Sequence, residues 1–411
     1  MTGKVCDSGK LMPVDQAISH LLEQAPPPPA QQTVLLEKAL GRVLAVDIHS
    51  PRDLPGWDNS AMDGFALRAA DLPAVGGCLP LAGRIAAGQA ASAPLPVEQA
   101  VRIFTGAPLP PGADTVVPQE LCRVEGDQVW LPAVSLGDHV RKAGEEVRKG
   151  QLLLAAGKRL RAQELGLLAA AGVCWVDVYR PLRVCLLSSG DELREPGEPL
   201  APGQIYNSNR FCLSALLQGW GVEVHDYGVM ADDLAASCQA LSLAAAECDL
   251  ILTSGGVSVG EEDHLKHAIE SLGNLQLWRL AIQPGKPLAF GKVAGKPWIG
   301  LPGNPAAALI TALVVVRPFL LRSQGAQDVL PRPMAMPAGF DWLQRNKRRQ
   351  YLRARLTSQD NAPASIQLHP QQSSAMLAAA CWADGLAVVE CEQQVHKHDS
   401  VTFLSFADLM Q

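Results

Sequence analysis

Cys248-Asp249-Leu250-Ile251-Leu252-Thr253-Ser254-Gly255-Gly256-Val257-Ser258-Val259-Gly260-Glu261-Glu262-Asp263 is the stretch that decides how the rest of the chain is read. The run from Asp249 to Thr253 is short and largely apolar, the pattern of a buried strand. It breaks into a Gly-rich turn, and helical spacing follows from Glu261 through Leu272. A strand that ends in such a turn and opens a helix is suited to anions. Glycines let the backbone approach a ligand, and free N–H groups at the helix start point at negative charge. The turn has neither the Gly-x-x-x-x-Gly-Lys-Ser/Thr order of a P-loop nor the Gly-x-Gly-x-x-Gly order of a dinucleotide fold. On its own it reads equally well as a tight connection with no ligand.

Working outward, the same alternation continues on both sides and predicts a doubly wound α/β domain. Strands are expected at Leu182–Ser188, Val222–Val229, Leu275–Ile282, Pro287–Gly291 and Pro297–Leu301. Helices are expected at Ser208–Gln218, Asp232–Glu247 and Pro305–Ser323. Asn304 as N-cap with Pro305 in the first helical position marks the start of the last helix. Such sheets bind ligands at the carboxyl ends of their strands. Here those ends carry Ser188-Ser189-Gly190-Asp191-Glu192, Ala231-Asp232-Asp233, the Ser254–Asp263 turn, Gln283-Pro284-Gly285-Lys286-Pro287 and Leu301-Pro302-Gly303-Asn304-Pro305. Glycine turns, Lys286 and helix N-termini suit a phosphate or oxyanion. Carboxylates beside a phosphate cradle suit Mg²⁺ or a similar divalent ion, which takes oxygen ligands.

Toward the N-terminus, helices are expected at Val14–Glu23 and Thr33–Leu40, with Arg42–Ile48 extended. Pro51 to Ala66 holds two prolines and three aspartates, so it is neither a regular helix nor a central strand. A long irregular segment between ordered elements is a candidate for function. Short strands follow at Leu79–Ile85, Val101–Phe104, Asp114–Pro118 and Gln128–Leu131, a small β domain holding Thr105-Gly106-Ala107-Pro108. Val140 to Val147 reads from its spacing as a charged surface hairpin, and its Arg141 is kept as a candidate substrate-binding residue. Leu160–Ala171 reads as a helix and Val173–Val178 as a strand. Leu330 to Gln411 reads as a separate all-β module, in which Arg348 to Leu356 alternates basic and apolar residues.

A chain of 411 residues is too long for one core. The composition, 48% hydrophobic and 18% charged with a net charge of -6 and 5% aromatic residues, gives no reason to expect nucleic-acid or membrane binding. Ten scattered cysteines with no C-x-x-C read as reduced thiols, and with no signal-peptide pattern the expected location is cytoplasmic.

Together, Pro55–Ala66, Thr105–Pro108, Gly190-Asp191-Glu192-Leu193, Ser254–Gly260 with Asp263, Pro284-Gly285-Lys286-Pro287 and Gly300–Pro305 resemble the MoeA/gephyrin family of molybdenum-insertion enzymes over nearly the whole chain. The resemblance implies an elongated homodimer of four-domain subunits. These are residues 1–50 with 145–180, an inserted β domain at 51–144, a molybdopterin-binding α/β domain at 181–326 and a C-terminal β domain at 327–411. It implies insertion of molybdate into adenylylated molybdopterin with release of AMP, aided by Mg²⁺, downstream of an adenylyltransferase that is a candidate partner. Alternatives are a carrier or scaffold on the same fold, and a pterin or nucleotide pyrophosphate hydrolase. Residue by residue, the catalytic candidates are Asp63 and Thr105 from the partner subunit with Glu192, Asp232, Asp263 and Lys286. Glu192, Asp232 and Asp263 are also the metal candidates. Ser254, Gly255, Gly256 and Ser258 are expected to cradle the pterin phosphate. Gly285, Pro287, Pro302, Gly303, Asn304, Arg353, Ser373 and Ser374 complete the substrate wall. The chain departs from the family pattern at Gln283 (usually Lys), Ala307 (usually Ser), Glu146 (usually Asp) and Arg279 (often Lys). Loss of a directly bonded cation at Gln283 implies ~1–3 kcal/mol weaker molybdate binding.

Overall fold

The computed structural model describes residues 11–89, 93–231, 233–256, 264–358 and 364–411. Its centre is a six-stranded sheet in the order Glu223–Met230, Arg183–Ser189, Leu250–Ser254, Lys296–Leu301, Pro287–Val293, Gly273–Arg279. The first four are mutually parallel, and the last two form an antiparallel edge. Every residue of Leu250–Ser254 is buried, as its apolar run predicts for a strand covered on both faces. Burying each such aliphatic side chain is worth ~1.5–3 kcal/mol. Ser208–Gly219 and Pro305–Ser323 supply one core, Leu234–Glu247 and His264–Leu272 another, so the sheet is covered on both faces as expected. Pro305–Ser323 is long and apolar enough to cross a membrane by composition, but nearly all of it is buried inside the protein, and it serves as the core helix of this domain.

One reading of the sequence is corrected. Thr33–Leu40 is not a helix. Gln31–Leu35 is a strand paired antiparallel with Trp175–Tyr179, and only Leu36–Lys38 makes a 3₁₀ turn. Pairing with a distant strand outweighs the weak local helical preference of a short segment. Val14–Glu23 is the expected helix, and its Val14, Ala17 and Leu21 pack into the core of the α/β sheet. The region after Leu330 has a core of its own, around Leu352, Ile366, Val389 and Phe403, and also reaches into the α/β core. Ile282–Gln283 joins its sheet as the strand beside Arg349–Thr357, and Tyr351, Leu386, Leu404, Phe406 and Leu409 pack into the α/β core.

The small β domain follows its pattern closely, with Gly77–Ile85, Ala100–Ile103, Thr115–Pro118 and Gln128–Leu131 as strands. Polar bonds fix the irregular stretch before it. Asp58 accepts from Lys142 Nζ at 2.9 Å and from the Ala143 N–H at 2.8 Å. Asn59–Ser60 pairs with Val140–Arg141, so Val140–Val147 is the partner of that loop rather than a free-standing hairpin.

Candidate active site

The strand-end turns converge. Parallel strands place the turns after Ser189, Ser254 and Leu301 on one rim, and the antiparallel Pro287–Val293 starts at the same rim. A cleft of about 1640 Å³ opens there, bounded on its other side by the loop from Gln372 to Ala375 of the C-terminal region. Among the described residues its charged lining is Asp191, Glu192, Lys286 and Arg348. The acids follow the Arg183–Ser189 strand and Lys286 precedes the Pro287–Val293 strand, three positions away in the sheet. At ~4.8 Å per strand the acidic and cationic ends lie roughly 14 Å apart. The cleft therefore offers an elongated, polar groove with opposite charges at its ends.

Glycine permits the turns to meet. Gly255 adopts φ +85°, and a Cβ there would lie 2.3 Å from the Ser189 carbonyl oxygen, so both the conformation and the space exclude a side chain. Gly285 adopts φ +100°, and its Cβ would meet Thr311 Oγ1 at 2.5 Å, which seats the Lys286 loop on the Pro305–Thr311 helix. A Cβ on Gly303 would come within 3.9 Å of the Gly255 Cα, so two turns 48 residues apart touch. Asn209, on the first turn of Ser208–Gly219, ties them. Its side-chain N–H donates to Ser254 Oγ at 2.9 Å and to the Gly303 carbonyl at 2.8 Å.

The opposite wall is built by side chains. The Arg353 guanidinium is fully buried and donates from Nη2 to the Ser373 carbonyl at 2.9 Å, while Nε and Nη1 have no partner among the described residues. Gln372 accepts from the Arg353 N–H and donates to the carbonyls of Arg353 and His369. Burial pushes the Arg353 guanidinium down to about 10. The Ser374 carbonyl in turn accepts from the N–H groups of Ala306 and Ala307 at 2.9 and 3.2 Å. Those donors at the helix start are spent on the C-terminal loop.

The anticipated residues divide accordingly. Glu192, Ser254, Gly255, Gly256, Gly285, Lys286, Pro287, Pro302, Gly303, Asn304, Ser373 and Ser374 all line the cleft. Asn304 is the N-cap position but makes no side-chain capping bond. Arg353 lies behind the wall and holds Ser373, and it is not among the lining residues. Asp63 and Thr105 are brought together, the Thr105 N–H and hydroxyl both donating to Asp63 Oδ1 at 2.8 Å. Those bonds hold the Asp63 carboxyl below its ordinary value. Neither residue, nor the exposed Arg141, lines this cleft. Asp232, Ser258 and Asp263 lie outside the described residues. Asn209, Arg348 and Gln372 were missed. Asn209, beside a helix start after a strand-end turn, carried the one usable signal.

Among the described residues no three His, Cys, Asp or Glu side chains cluster as a metal site. Glu192 nonetheless fits a hard cation as one oxygen ligand. A Cβ on Gly190 would lie 2.6 Å from Glu192 Oε2, so the carboxylate folds back over its own turn at the cleft.

Comparison with known proteins agrees along the chain. Residues 12–172 match the family described as MoeA N-terminal region (domain I and II). Residues 185–322 match "Probable molybdopterin binding domain", and 335–406 match MoeA C-terminal region (domain IV). Molybdopterin molybdenumtransferase of Haemophilus influenzae is 42% identical over 320 residues, 77% of this chain and 79% of that protein. Molybdopterin molybdenumtransferase 2 of Mycobacterium tuberculosis is 39% identical over 346 residues, covering 80% and 84%. A molybdopterin biosynthesis MoeA protein from Pyrococcus horikoshii superposes with TM-score 0.81 at 26% identity, covering 97% of this chain and all of the other.

Proposed function

We propose a division of labour within the cleft on one premise: the chain belongs to the MoeA family of molybdopterin molybdenumtransferases. It is a transferase of molybdenum cofactor biosynthesis and inserts molybdate into molybdopterin. The single observation that carries the finer reading is the convergence of Gly255, Gly303 and Lys286 on one rim facing Ser373 and Ser374. Gly255 and Gly256 let the pterin phosphate reach backbone N–H groups. Lys286, with the Ser373–Ser374 loop, holds the molybdate oxyanion. Glu192, with Asp232 and Asp263, would hold Mg²⁺ or a similar ion, which would supply positive charge opposite the departing AMP phosphate. The roughly 14 Å between the cationic and acidic ends suits a substrate with a phosphate-linked nucleotide at one end and a dithiolene at the other.

Asp63 and Thr105 complete the cleft from a second copy of the chain. Their separation from the cleft within one chain, and the fixed geometry of the pair, support that reading. The working state is then a homodimer in the cytoplasm, supplied by an adenylyltransferase. Adenylylated molybdopterin should release AMP only when molybdate is present. Molybdate-independent release would mark a hydrolase, and binding without release a carrier. Mixing dimers of Asp63→Asn with dimers of Lys286→Ala should restore about a quarter of wild-type activity, because half the dimers are mixed and each keeps one intact site. No recovery after subunit exchange would refute the shared site.

A further inference from the structure

Resting on the oxyanion reading above, we propose that Gln283 is a positioning residue: its side-chain carbonyl holds the Arg348 guanidinium in the cleft wall, making Arg348 and Lys286 a two-cation clamp. Gln283 Oε1 accepts from Arg348 Nη2 at 3.1 Å and from Asn346 Nδ2 at 2.6 Å, and the Asn346 Oδ1 accepts from the Arg348 N–H at 3.0 Å. Gln283 lies two residues before Gly285 in the Lys286 loop, whereas Asn346 and Arg348 lie in the loop that enters the C-terminal strand Arg349–Thr357. Gln283 and Arg348 both line the cleft.

The neighbouring arginine shows the difference. Arg349 is neutralised, its guanidinium bonded to both oxygens of Asp15 and to Glu390. Among the described residues no carboxylate lies within ion-pair distance of Arg348, and its side chain is held by a neutral acceptor. A neutral carbonyl orients a guanidinium without cancelling its charge. A lysine in the place of Gln283 would have three donors and no lone pair, and would set a like charge against Arg348. Glutamine therefore places the second cation on the facing C-terminal loop instead of on its own loop. Through the Ile282–Gln283 strand pairing, the position of that charge depends on how the two sheets meet.

The test measures molybdate-dependent AMP release by the full-length dimer, separating molybdate KM from kcat, with the molybdate-induced rise in Tm as a second readout. Gln283→Met should raise KM about tenfold and shrink the Tm rise. Arg348→Gln should do at least as much, and the double variant should be no worse than Arg348→Gln alone. Gln283→Glu keeps the bond but cancels the charge, so it should raise KM while raising the ligand-free Tm. A merely structural Gln283 would lower Tm in Gln283→Met, leave KM unmoved in both Gln283 variants and add independently to Arg348→Gln; that result overturns the assignment. A wild-type protein with no molybdate dependence in either readout overturns the oxyanion reading first and this assignment with it.

Discussion

The two walls of the cleft are held by different physics. The α/β wall is backbone: glycine turns pressed together to a few ångströms and drawn in by Asn209. The C-terminal wall is a loop propped from behind by a buried cation, Arg353, and by Gln372. The first cannot accept added atoms. The second cannot lose its polar supports without loosening. On the proposed function, a backbone wall would fix where the phosphate and oxyanion sit, and a propped wall would leave the affinity for them adjustable.

The sharpest way to break the first wall is Gly255→Val. With φ +85° and a carbonyl oxygen 2.3 Å from the new Cβ, it should lose ~4 kcal/mol or more of stability and all measurable activity. A chemical denaturation curve and an AMP-release assay check this. A well-folded, active Gly255→Val protein would mean the turns are not pressed together.

Asp249, at the foot of the same wall, is next. Burial pushes its carboxyl up, but two bonds from Arg180, at 2.7 Å each, and the Arg183 N–H outweigh that and hold it down at about 2. A carboxyl depressed from 3.8 to about 2 contributes stability that is fully present above pH 4 and lost as pH falls toward 2. Asp249→Asn should therefore cost roughly 2–3 kcal/mol at pH 7 and flatten the pH dependence of unfolding below pH 4.

Arg353 tests the second wall with the opposite sign. Its guanidinium is depressed from 12.5 to about 10, so below pH 10 the buried charge costs stability, and the cost is relieved only as pH rises above 10. Arg353→Met removes that cost and one hydrogen bond. It should stabilise the protein by roughly 1–2 kcal/mol near neutral pH while raising molybdate KM, because the Ser373 carbonyl is released. A thermal melt beside a KM measurement decides it: equal loss of stability and affinity would erase the contrast between the walls. The smallest effect should come from Ala307→Ser, which adds a hydroxyl beside Gly285 in a helix turn already bonded to Ser374. The expected change is under ~1 kcal/mol, read as a shift in KM of fivefold or less.

The same contrast explains what the sequence made legible. A backbone wall announces itself through glycine spacing after apolar strands, so Gly255, Gly285, Lys286 and Gly303 were readable in order along the chain. The propped wall depends on Arg353, Gln372 and Arg348, whose roles come from contacts across about twenty residues within the C-terminal loop and 65 residues between sheets. No local period encodes those. The alternation in Arg348 to Leu356 located the strand but did not show that Arg353 is wholly buried, because a basic residue in such a pattern normally marks the solvent face. Gln31–Leu35 failed in the same way, since only its partner at Trp175–Tyr179 makes it a strand.

Ile282 and Gln283 belong by chain order to one half of the molecule and by hydrogen bonding to the other. Cutting the polypeptide near Leu330, however natural that looks from the sequence, would tear an edge from the second sheet and open the shared core at Tyr351 and Leu404. Transplanting the C-terminal piece between homologues should accordingly succeed only when this two-residue strip travels with it. The unit of exchange in this architecture is a seam, and the recombination breakpoint that respects it lies upstream of where the linker seems to invite it.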